Sequence, residues 1–436
     1  MAKNPTTTRR AAHESLMKIA KSGRYSNIEI DSYLKNSDGM SDADRALYTR
    51  LVYGVIERQL TLDHIISQYT TRAVSSIDEA TLTSLRLGIY QIVYMDRIPE
   101  FAAVSETVDT APSRSRGFVN GVLRSFLRGG KKFSLPCGTS PEELSVRFST
   151  SADVCKVLTN SYGADTAEQI LEAFFAPERI CLRINTLKTT TDAARDTVGY
   201  AVSGTYSADT IKVTSLTEEV RAGLRDGRWF VQDEASRICT VVLGARPGER
   251  IADVCSAPGG KSFSAAIDME NVGEVHSFDL HANKLSLISK TAERLGLDVI
   301  KVAPRDARDP DPELIERCDR VLCDAPCSGI GVLAKKPEIR YKAADSADRL
   351  PQIQYDVLCG AASYVKDGGV LVYSTCTLNK RENEDVVERF LETHPEFSPC
   401  EFTVSALESK NGMLTLFPHL TGTDGFFIAK LIKHTL

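Results

Sequence analysis

The spacing of apolar residues predicts that the first part of the chain is helical. Between residues 11 and 128, apolar side chains recur every three or four positions, as at Leu85 and Ile89, and this spacing places them on one face of a helix. Residues typical of helix ends punctuate the pattern, among them Ser41, Pro99 and Ser105-Glu106. No alternation of the strand type interrupts the region, so an all-α domain is predicted for residues 1–135.

A stretch rich in Gly, Pro and Lys, Gly129–Gly138, predicts a linker after this domain. Residues 140–230 are predicted to form a small α+β subdomain, with strands at Ile180–Ile184 and Thr210–Val213 and a helix at Thr191–Val198. In the first of these strands Arg183 and Asn185 alternate with apolar residues. Such alternation is typical of a strand with one half-exposed face.

From residue 231 to residue 436, strand-like and helix-like runs alternate, which is typical of a doubly wound α/β domain. Strands are predicted at 251–254, 275–278, 299–302, 319–324 and 369–373, helices at 284–295, 353–365 and 382–392, and a closing antiparallel strand at 426–432. The chain is therefore predicted to hold three domains, at 1–135, 140–230 and 231–436.

The composition is that of an ordinary globular protein of 436 residues, of which 42% are hydrophobic and 25% charged. No apolar run approaches the ~20 residues that span a membrane, and the N-terminal residues lack the apolar core of a secretory signal. The 11 cysteines show neither C-x-x-C pairs nor zinc-type spacing with His, so no disulfide framework and no metal site are predicted. We expect a cytoplasmic monomer.

The net charge of −5 is the sum of unlike parts, because residues 1–150 carry +4 and residues 151–436 carry −9. Between Ala111 and Cys137 there are basic residues and no acidic ones. This run suits contact with RNA phosphates, although a solvated helix face has the same composition. Its basic residues are Arg114, Arg116, Arg124, Arg128, Lys131 and Lys132.

The candidate chemistry centres on Glu249–Ser262, where an apolar, strand-like run and a helical pattern enclose a turn. The turn consists of Cys255, Ser256, Ala257, Pro258, Gly259, Gly260 and Lys261. A strand, a Gly-containing turn and a helix N-terminus together suit the polar end of a nucleotide-like cofactor. The phosphate-binding pattern G-x-x-x-x-G-K-[ST] is incomplete, because Cys255 stands where its first Gly is required.

Acidic residues follow three of the predicted strands, at Asp279, Asp306 and Asp324. Ligands of a doubly wound sheet bind at the carboxyl ends of its strands. Asp279 follows the Gly turn by about 20 residues, where an acid binds ribose hydroxyls, and Asp306 is then placed to meet an adenine amino group. Each acid alone also suits a cap or a turn, but together they predict a nucleoside pocket.

Two cysteines also follow predicted strands. Cys327 lies in the run Asp-Ala-Pro-Cys-Ser-Gly after the fourth strand, and Cys376 lies in Ser-Thr-Cys-Thr after the fifth. Because adjacent strands end at the same rim of a sheet, both thiols are expected to face the cofactor pocket. We interpret Cys181, Cys239 and Cys359 as packing residues.

These motifs resemble those of the RNA (cytosine-5)-methyltransferases of the Sun/NOL/NOP type. The similar stretches are Asp253–Lys261, Asp324–Gly331, Lys336–Tyr341, Ser374–Cys376 and Asp424–Phe427, together with Gln232–Ser236. The paired Pro-Cys and Thr-Cys motifs are specific to the RNA enzymes. The helical part, through Gly117–Arg124, resembles the NusB family, and the combination is similar to the layout of bacterial 16S rRNA methyltransferases.

The resemblance implies a Rossmann-like class I fold that binds S-adenosylmethionine and methylates carbon-5 of a cytosine in RNA, with 16S rRNA as the expected substrate. It implies that the Gly turn holds the cofactor, with Asp279 on the ribose, Asp306 near the adenine and Asp324 between cofactor and base. Cys376 is then the nucleophile that adds to carbon-6, and Cys327 assists release. The basic residues of the NusB-like domain are expected to hold the RNA.

Other hypotheses stay open at this point. A non-catalytic RNA-binding or assembly factor would keep a NusB-like domain beside a vestigial α/β domain, and tRNA is an alternative substrate to rRNA. The run Gly260-Lys261-Ser262 leaves a nucleotide hydrolase as a third hypothesis, which the incomplete phosphate-binding pattern disfavours.

Overall fold

The computed structural model describes residues 7–23, 25–37, 39–177, 179–342 and 348–435. The chain divides into two compact units, one of Met1–Leu171 with Leu333–Ala344 and one of Glu172–Val332 with Asp345–Leu436. A helical N-terminal part and a mixed sheet flanked by helices confirm the predicted fold class. In the described part of the chain, no helix has the length and apolarity that crossing a membrane requires.

Helices account for the N-terminal part, and side-chain caps define where several of them begin. The Ser41 hydroxyl accepts the backbone N–H of Asp44 at 3.1 Å, and Ser140 forms a capping box with Glu143, which satisfies N–H groups that a helix start leaves unpaired. The helices are α1 (Thr8–Ser22), α2 (Ser26–Lys35), α3 (Asp42–Glu57), α4 (Gln59–Ser67), α5 (Glu79–Tyr94), α6 (Glu100–Val108), α7 (Arg116–Arg128), α8 (Pro141–Phe148), α9 (Ala152–Tyr162) and α10 (Ala164–Ala173).

The core of the first unit surrounds α5, whose residues from Thr81 to Gln91 are buried on every side of the helix, as expected for a central helix. One predicted helix boundary is wrong. Ser105 and Glu106 lie inside α6 and need no cap, because the helix itself pairs their backbone N–H groups. The Ser105 side chain is exposed, and Glu106 forms an ion pair with Arg9.

A segment from much later in the chain, Leu333–Ala344, belongs to the first unit. Arg340 in this segment is fully buried and donates to the Phe148 carbonyl at 3.2 Å. The Tyr341 hydroxyl accepts the backbone N–H of Gln59 at 3.2 Å. The contacts group the chain into two units, and the predicted three-domain division stays a prediction.

The second unit begins with a small antiparallel sheet of order β2-β3-β1-β4. Leu182, Ile211 and Trp229 are among the fully buried residues of its core, and the predicted strands at 180–184 and 210–213 and helix at 191–198 are confirmed. The elements are β1 (Ile180–Ile184), α11 (Thr191–Val198), β2 (Val202–Ser203), β3 (Thr210–Val213), α12 (Glu218–Arg225) and β4 (Trp229–Val231).

The interpretation of β1 as a half-exposed strand is wrong, because Arg183 and Asn185 are both buried. Arg183 lies 3.0 Å from carboxylate oxygens of Asp209 and of Asp268, and Arg237 contacts the same two carboxylates at 2.9 and 2.5 Å. Burial lowers the pKa of Arg183 to about 10. Two carboxylates compensate two guanidinium groups, which allows these charges to leave solvent.

The large sheet has the order β10-β14-β9-β8-β5-β6-β7, with β13 paired to β14. Strands β5 to β9 run parallel, and β14 is antiparallel to β9, as predicted for the closing strand. Its elements are α13 (Glu234–Leu243), β5 (Arg250–Asp253), α14 (Gly260–Asp268), β6 (Glu274–Asp279), α15 (Ala282–Leu295), β7 (Ile300–Pro304), β8 (Cys318–Asp324), α16 (Leu350–Ala362), β9 (Val365–Thr375), α17 (Glu384–Thr393), β10 (Phe397–Pro399), β11 (Thr403–Val404), β12 (Leu407–Glu408), β13 (Met413–Leu416), α18 (Pro418–Thr421) and β14 (Phe426–Lys433).

The fifth predicted strand begins earlier than expected, because Val365 is fully buried and already pairs with Cys318 of β8. Both faces of the large sheet are covered, with Val321 of β8 in the core on one face and Leu322 in the core on the other. Burial on two sides explains the continuous apolar runs of the parallel strands. On one side of β5 the next strand is β6, and on the other side it is β8, so the order of the strands reverses at β5. In doubly wound sheets the ligand crevice lies at such a reversal, outside the carboxyl ends of the strands.

Candidate active site

The Gly turn joins β5 to α14 and is shaped by Gly259. This residue has φ of 107°, in the left-handed region that favours glycine. A Cβ at this position would lie 2.3 Å from Cζ of the buried Phe263 ring. At Gly260, by contrast, a Cβ would meet only the Gln232 side chain, at 3.6 Å. The turn therefore requires glycine at 259, whereas a Cβ at 260 would make only an ordinary van der Waals contact.

Asp279 ends the neighbouring strand β6 and is bonded to the turn. One carboxylate oxygen accepts the backbone N–H of Ala257 at 3.2 Å and the other accepts that of His281 at 2.9 Å. The Ser256 hydroxyl donates to the Phe278 carbonyl at 2.9 Å. The structure thus brings the first predicted acid against the predicted cofactor loop.

Asp306 follows β7, one strand further from the centre of the sheet. Its carboxylate forms an ion pair with Arg308 at 2.6 Å, and this hydrogen-bonded cation lowers the pKa of Asp306. No feature of the sequence pattern points to Arg308. Because Arg308 stabilises the carboxylate, Asp306 is a charged acceptor at the rim.

Asp324 ends β8 and forms an ion pair with Lys261 of the Gly turn at 2.7 Å. The Ser374 hydroxyl donates to its other oxygen at 2.7 Å. Burial opposes the charge on Lys261, but attraction to Asp324 outweighs it, so the net effect raises the pKa of Lys261. Lys261 also lies 5.0 Å from the centre of the Phe426 ring. The lysine of the turn is thus bound to the strand-end carboxylate.

The two strand-end cysteines meet. Cys327 Sγ lies 3.3 Å from Cys376 Sγ, although the residues are 49 positions apart in the chain. The reason is the parallel pairing of β8 with β9, which sets Asp324 beside Ser374 and so starts both cysteine loops at one rim. Both cysteines are partly accessible. The predicted convergence of the two thiols is confirmed.

The surroundings of Cys327 raise the pKa of its thiol. Its contact with Cys376 raises its pKa most, and burial and the charges of Glu382 and Asp324 raise it further. Cys239, which we interpreted as a packing residue, is fully buried, and burial raises its pKa to about 12.

Sequence reasoning missed two buried acids at this site. Glu382 is fully buried and contacts the loop that carries Cys327, through the backbone N–H of Ser328 at 2.8 Å. Asp253 lies beneath the Gly turn, where it accepts from the Ser262 hydroxyl at 2.6 Å and where burial raises its pKa to about 7. In the sequence, Glu382 has the position of an ordinary acid in the first turn of a helix. Asp253 has the position of an ordinary last residue of a strand.

The predicted basic run lies on α7 and the chain on either side of it. Several of its charges are paired: Arg114 lies 3.8 Å from Asp78, and Lys131 lies 2.5 Å from Glu100. The side chains of Arg124, Arg128 and Lys132 are exposed. Among the described residues, no group of His, Cys, Asp and Glu could hold a metal ion.

A doubly wound sheet with a Gly turn and strand-end acids, preceded by a helical part, resembles the fold of the methyltransferases that the comparisons find. The 16S rRNA methyltransferase RsmB/F family matches residues 240–432, and the NusB family matches residues 6–128. A "Probable ribosomal RNA small subunit methyltransferase B" is 36% identical in Bacillus subtilis and 34% identical in Synechocystis, over 98% of this chain and 99% of each relative. The crystal structure of PH0851, 26% identical, matches with a TM-score of 0.81 over 99% of this chain and 100% of that one. The chain belongs to the ribosomal RNA small subunit methyltransferase B family.

Proposed function

We propose that this protein transfers a methyl group from S-adenosylmethionine to carbon-5 of a cytosine in 16S rRNA. The observation that carries the proposal is the contact between Cys327 and Cys376, whose sulfurs are 3.3 Å apart beside the Gly turn. Methylation of carbon-5 needs one thiol for covalent addition and a further group for release. Transfer to a nitrogen or oxygen atom needs neither, so a paired thiol site favours the carbon reaction.

The residues at the turn fit the proposed cofactor. Each oxygen of Asp279 accepts one backbone N–H, and a carboxylate oxygen with one bond can still accept a ribose hydroxyl. Asp306 is a charged acceptor at the next strand end, where it suits the adenine amino group. The N-terminus of α14, which begins at Gly260, suits the carboxylate of the amino-acid part. When bound, the cofactor supplies an electrophilic methyl group.

Cys376 is the proposed nucleophile. Carbon-5 of cytosine reacts poorly until a thiolate has added to carbon-6. Lys261 interacts electrostatically with Cys376, and a neighbouring cation favours the thiolate form. We propose that Asp324, which Lys261 and Ser374 hold in place, accepts a hydrogen bond from the edge of the base and so orients the ring for attack.

Cys327 is assigned to release. After methyl transfer the carbon-5 proton passes to solvent water, the electron pair of the broken carbon–hydrogen bond re-forms the double bond between carbon-5 and carbon-6, and Cys376 leaves carbon-6 as a thiolate that the Cys327 thiol can protonate. The contact of the two sulfurs places Cys327 beside the adduct throughout. The target base must also leave any stack, at a cost of a few kcal/mol in a duplex and less in a loop. We propose that the exposed basic residues of α7 hold the RNA while this occurs, and that the reaction takes place in the cytoplasm.

The test incubates 16S rRNA with the purified protein and methyl-labelled cofactor. Cys376→Ala should abolish transfer, whereas Cys327→Ala should accumulate a covalent protein–RNA adduct that survives denaturing electrophoresis. Cys400→Ala, a partly accessible cysteine outside the site, is the matched control and should react normally. Bisulfite sequencing of the product locates the modified cytosine.

The same experiment can refute the proposal. Normal turnover by Cys376→Ala would disprove the assignment of the nucleophile. Absence of cofactor binding in calorimetry would favour the non-catalytic RNA-binding hypothesis instead, and methylation of tRNA but not of rRNA would change the substrate.

A further inference from the structure

The buried carboxylate of Glu382 connects the two cysteine loops. One oxygen accepts the backbone N–H of Ser328 at 2.8 Å and the Gln354 amide at 2.9 Å. The other accepts the Ser328 hydroxyl at 2.6 Å and the Asn379 amide at 2.9 Å. Four donors fill the acceptor sites of a carboxylate, and this compensates the cost of burying it.

The network reaches the residue that follows each cysteine. Ser328, next to Cys327, shares a hydrogen bond of 2.7 Å with Thr377, next to Cys376. The Gln354 amide also donates to the Pro326 carbonyl at 2.9 Å, on the other side of Cys327. Bonds on both sides of Cys327 fix the position of its sulfur relative to that of its partner.

The groups around Cys327 disfavour its thiolate form. Its contact with Cys376 raises its pKa most, and burial and the charges of Glu382 and Asp324 raise it further. The Tyr373 hydroxyl donates to the backbone carbonyl of Glu382 at 2.6 Å. A buried carboxylate close to a thiol favours the neutral thiol, because a second negative charge beside it is costly.

We propose that Glu382 is a positioning residue that fixes the spacing of the two cysteine loops and keeps Cys327 protonated, so that only Cys376 attacks the base. This inference rests on the proposed function, because it explains how one of two adjacent thiols becomes the nucleophile. A second thiolate 3.3 Å away would repel the first and compete with it for carbon-6.

The test measures the pH dependence of Cys327 alkylation by iodoacetamide, read by peptide mass spectrometry in a Cys376→Ser background. Glu382→Gln should move the midpoint for Cys327 down by about one pH unit or more, since a neighbouring like charge is removed. Glu384→Gln, two residues away in the same acidic run, should leave it unchanged. Equal midpoints for the two variants would overturn the proposal. The assay needs neither RNA nor cofactor, so its failure is distinct from that of the proposed function.

A second variant keeps the proposal testable if Glu382→Gln does not fold. Ser328→Ala removes the hydroxyl that joins Glu382 to Thr377 and leaves a small side chain in place. We expect kcat to fall by about ten- to a hundredfold with an unchanged KM for RNA, because small displacements of reacting groups have effects of that size. A fall in thermal stability with kcat unchanged would assign the network a structural role and overturn the proposal.

Discussion

Replacing Gly259 by alanine should destabilise the second unit, whereas the same change at Gly260 should not. Gly259 has φ of 107°, and an alanine held in such a sparsely populated region costs about 1–3 kcal/mol. Its Cβ would lie 2.3 Å from the Phe263 ring, and overpacking of a core costs about 1–3 kcal/mol more. Gly260 is the first residue of α14, and the nearest atom to an alanine Cβ there is 3.6 Å away, so alanine fits without strain. The two variants should therefore differ by about 2 kcal/mol or more.

The assay can be confined to the second unit, because Trp229 of β4 is the only tryptophan of the chain and is fully buried there. Urea unfolding followed by its fluorescence should give a clearly lower midpoint for Gly259→Ala than for the parent. The midpoint for Gly260→Ala should equal or exceed that of the parent. If the two variants unfold together, the left-handed backbone and the contact with Phe263 do not determine the shape of the turn.

Three further predictions concern the charges and thiols of the site. Lys261→Met should lower the free energy of unfolding, measured in urea, by about 3 kcal/mol, because it leaves the Asp324 carboxylate without its cation. Adding Asp324→Asn should restore part of the loss. If the second substitution restores nothing, the ion pair does not stabilise the fold. Burial raises the pKa of Asp253 to about 7, above the unfolded value of about 3.9. Asp253 therefore loses its proton at lower pH in the unfolded state than in the folded state. Between these two pKa values the free energy of unfolding falls as the pH rises, by about 4 kcal/mol. In a pH series of unfolding curves, Asp253→Asn should abolish that fall, and a parallel fall in both proteins would refute the assignment. Hydrogen peroxide should convert the thiols of Cys327 and Cys376 to a disulfide, with release of two water molecules, since their sulfurs are 3.3 Å apart. Mass spectrometry under non-reducing conditions should find the two peptides joined. Separate sulfinic acids on the two cysteines would contradict this expectation.

Those parts of the site whose geometry follows from the order of the strands could be predicted from the sequence. Parallel strands end at one rim, so a cysteine after β8 and another after β9 start from neighbouring positions at that rim. The same rule places Asp279 beside the Gly turn. Local pattern and strand order are enough for these contacts.

Burial of charge was not predictable from local pattern. Glu382 is buried because donors from Ser328 and Gln354 reach it, and these residues are distant in the sequence. Arg183 is buried for the same reason, since its partners Asp209 and Asp268 come from other elements. An isolated charged residue indicates exposure unless its partners are known.

The placement of Leu333–Ala344 in the helical unit has a practical consequence for work with truncated proteins. The polypeptide passes from one unit to the other three times, so cutting it once at residue 171 does not yield two intact parts. A recombinant fragment that starts at residue 172 would retain Arg340 and Tyr341 but lose the residues Phe148 and Gln59 to which they are hydrogen-bonded. Loss of activity in such a fragment could then come from a disturbed segment that begins six residues after Cys327, as well as from the missing helices.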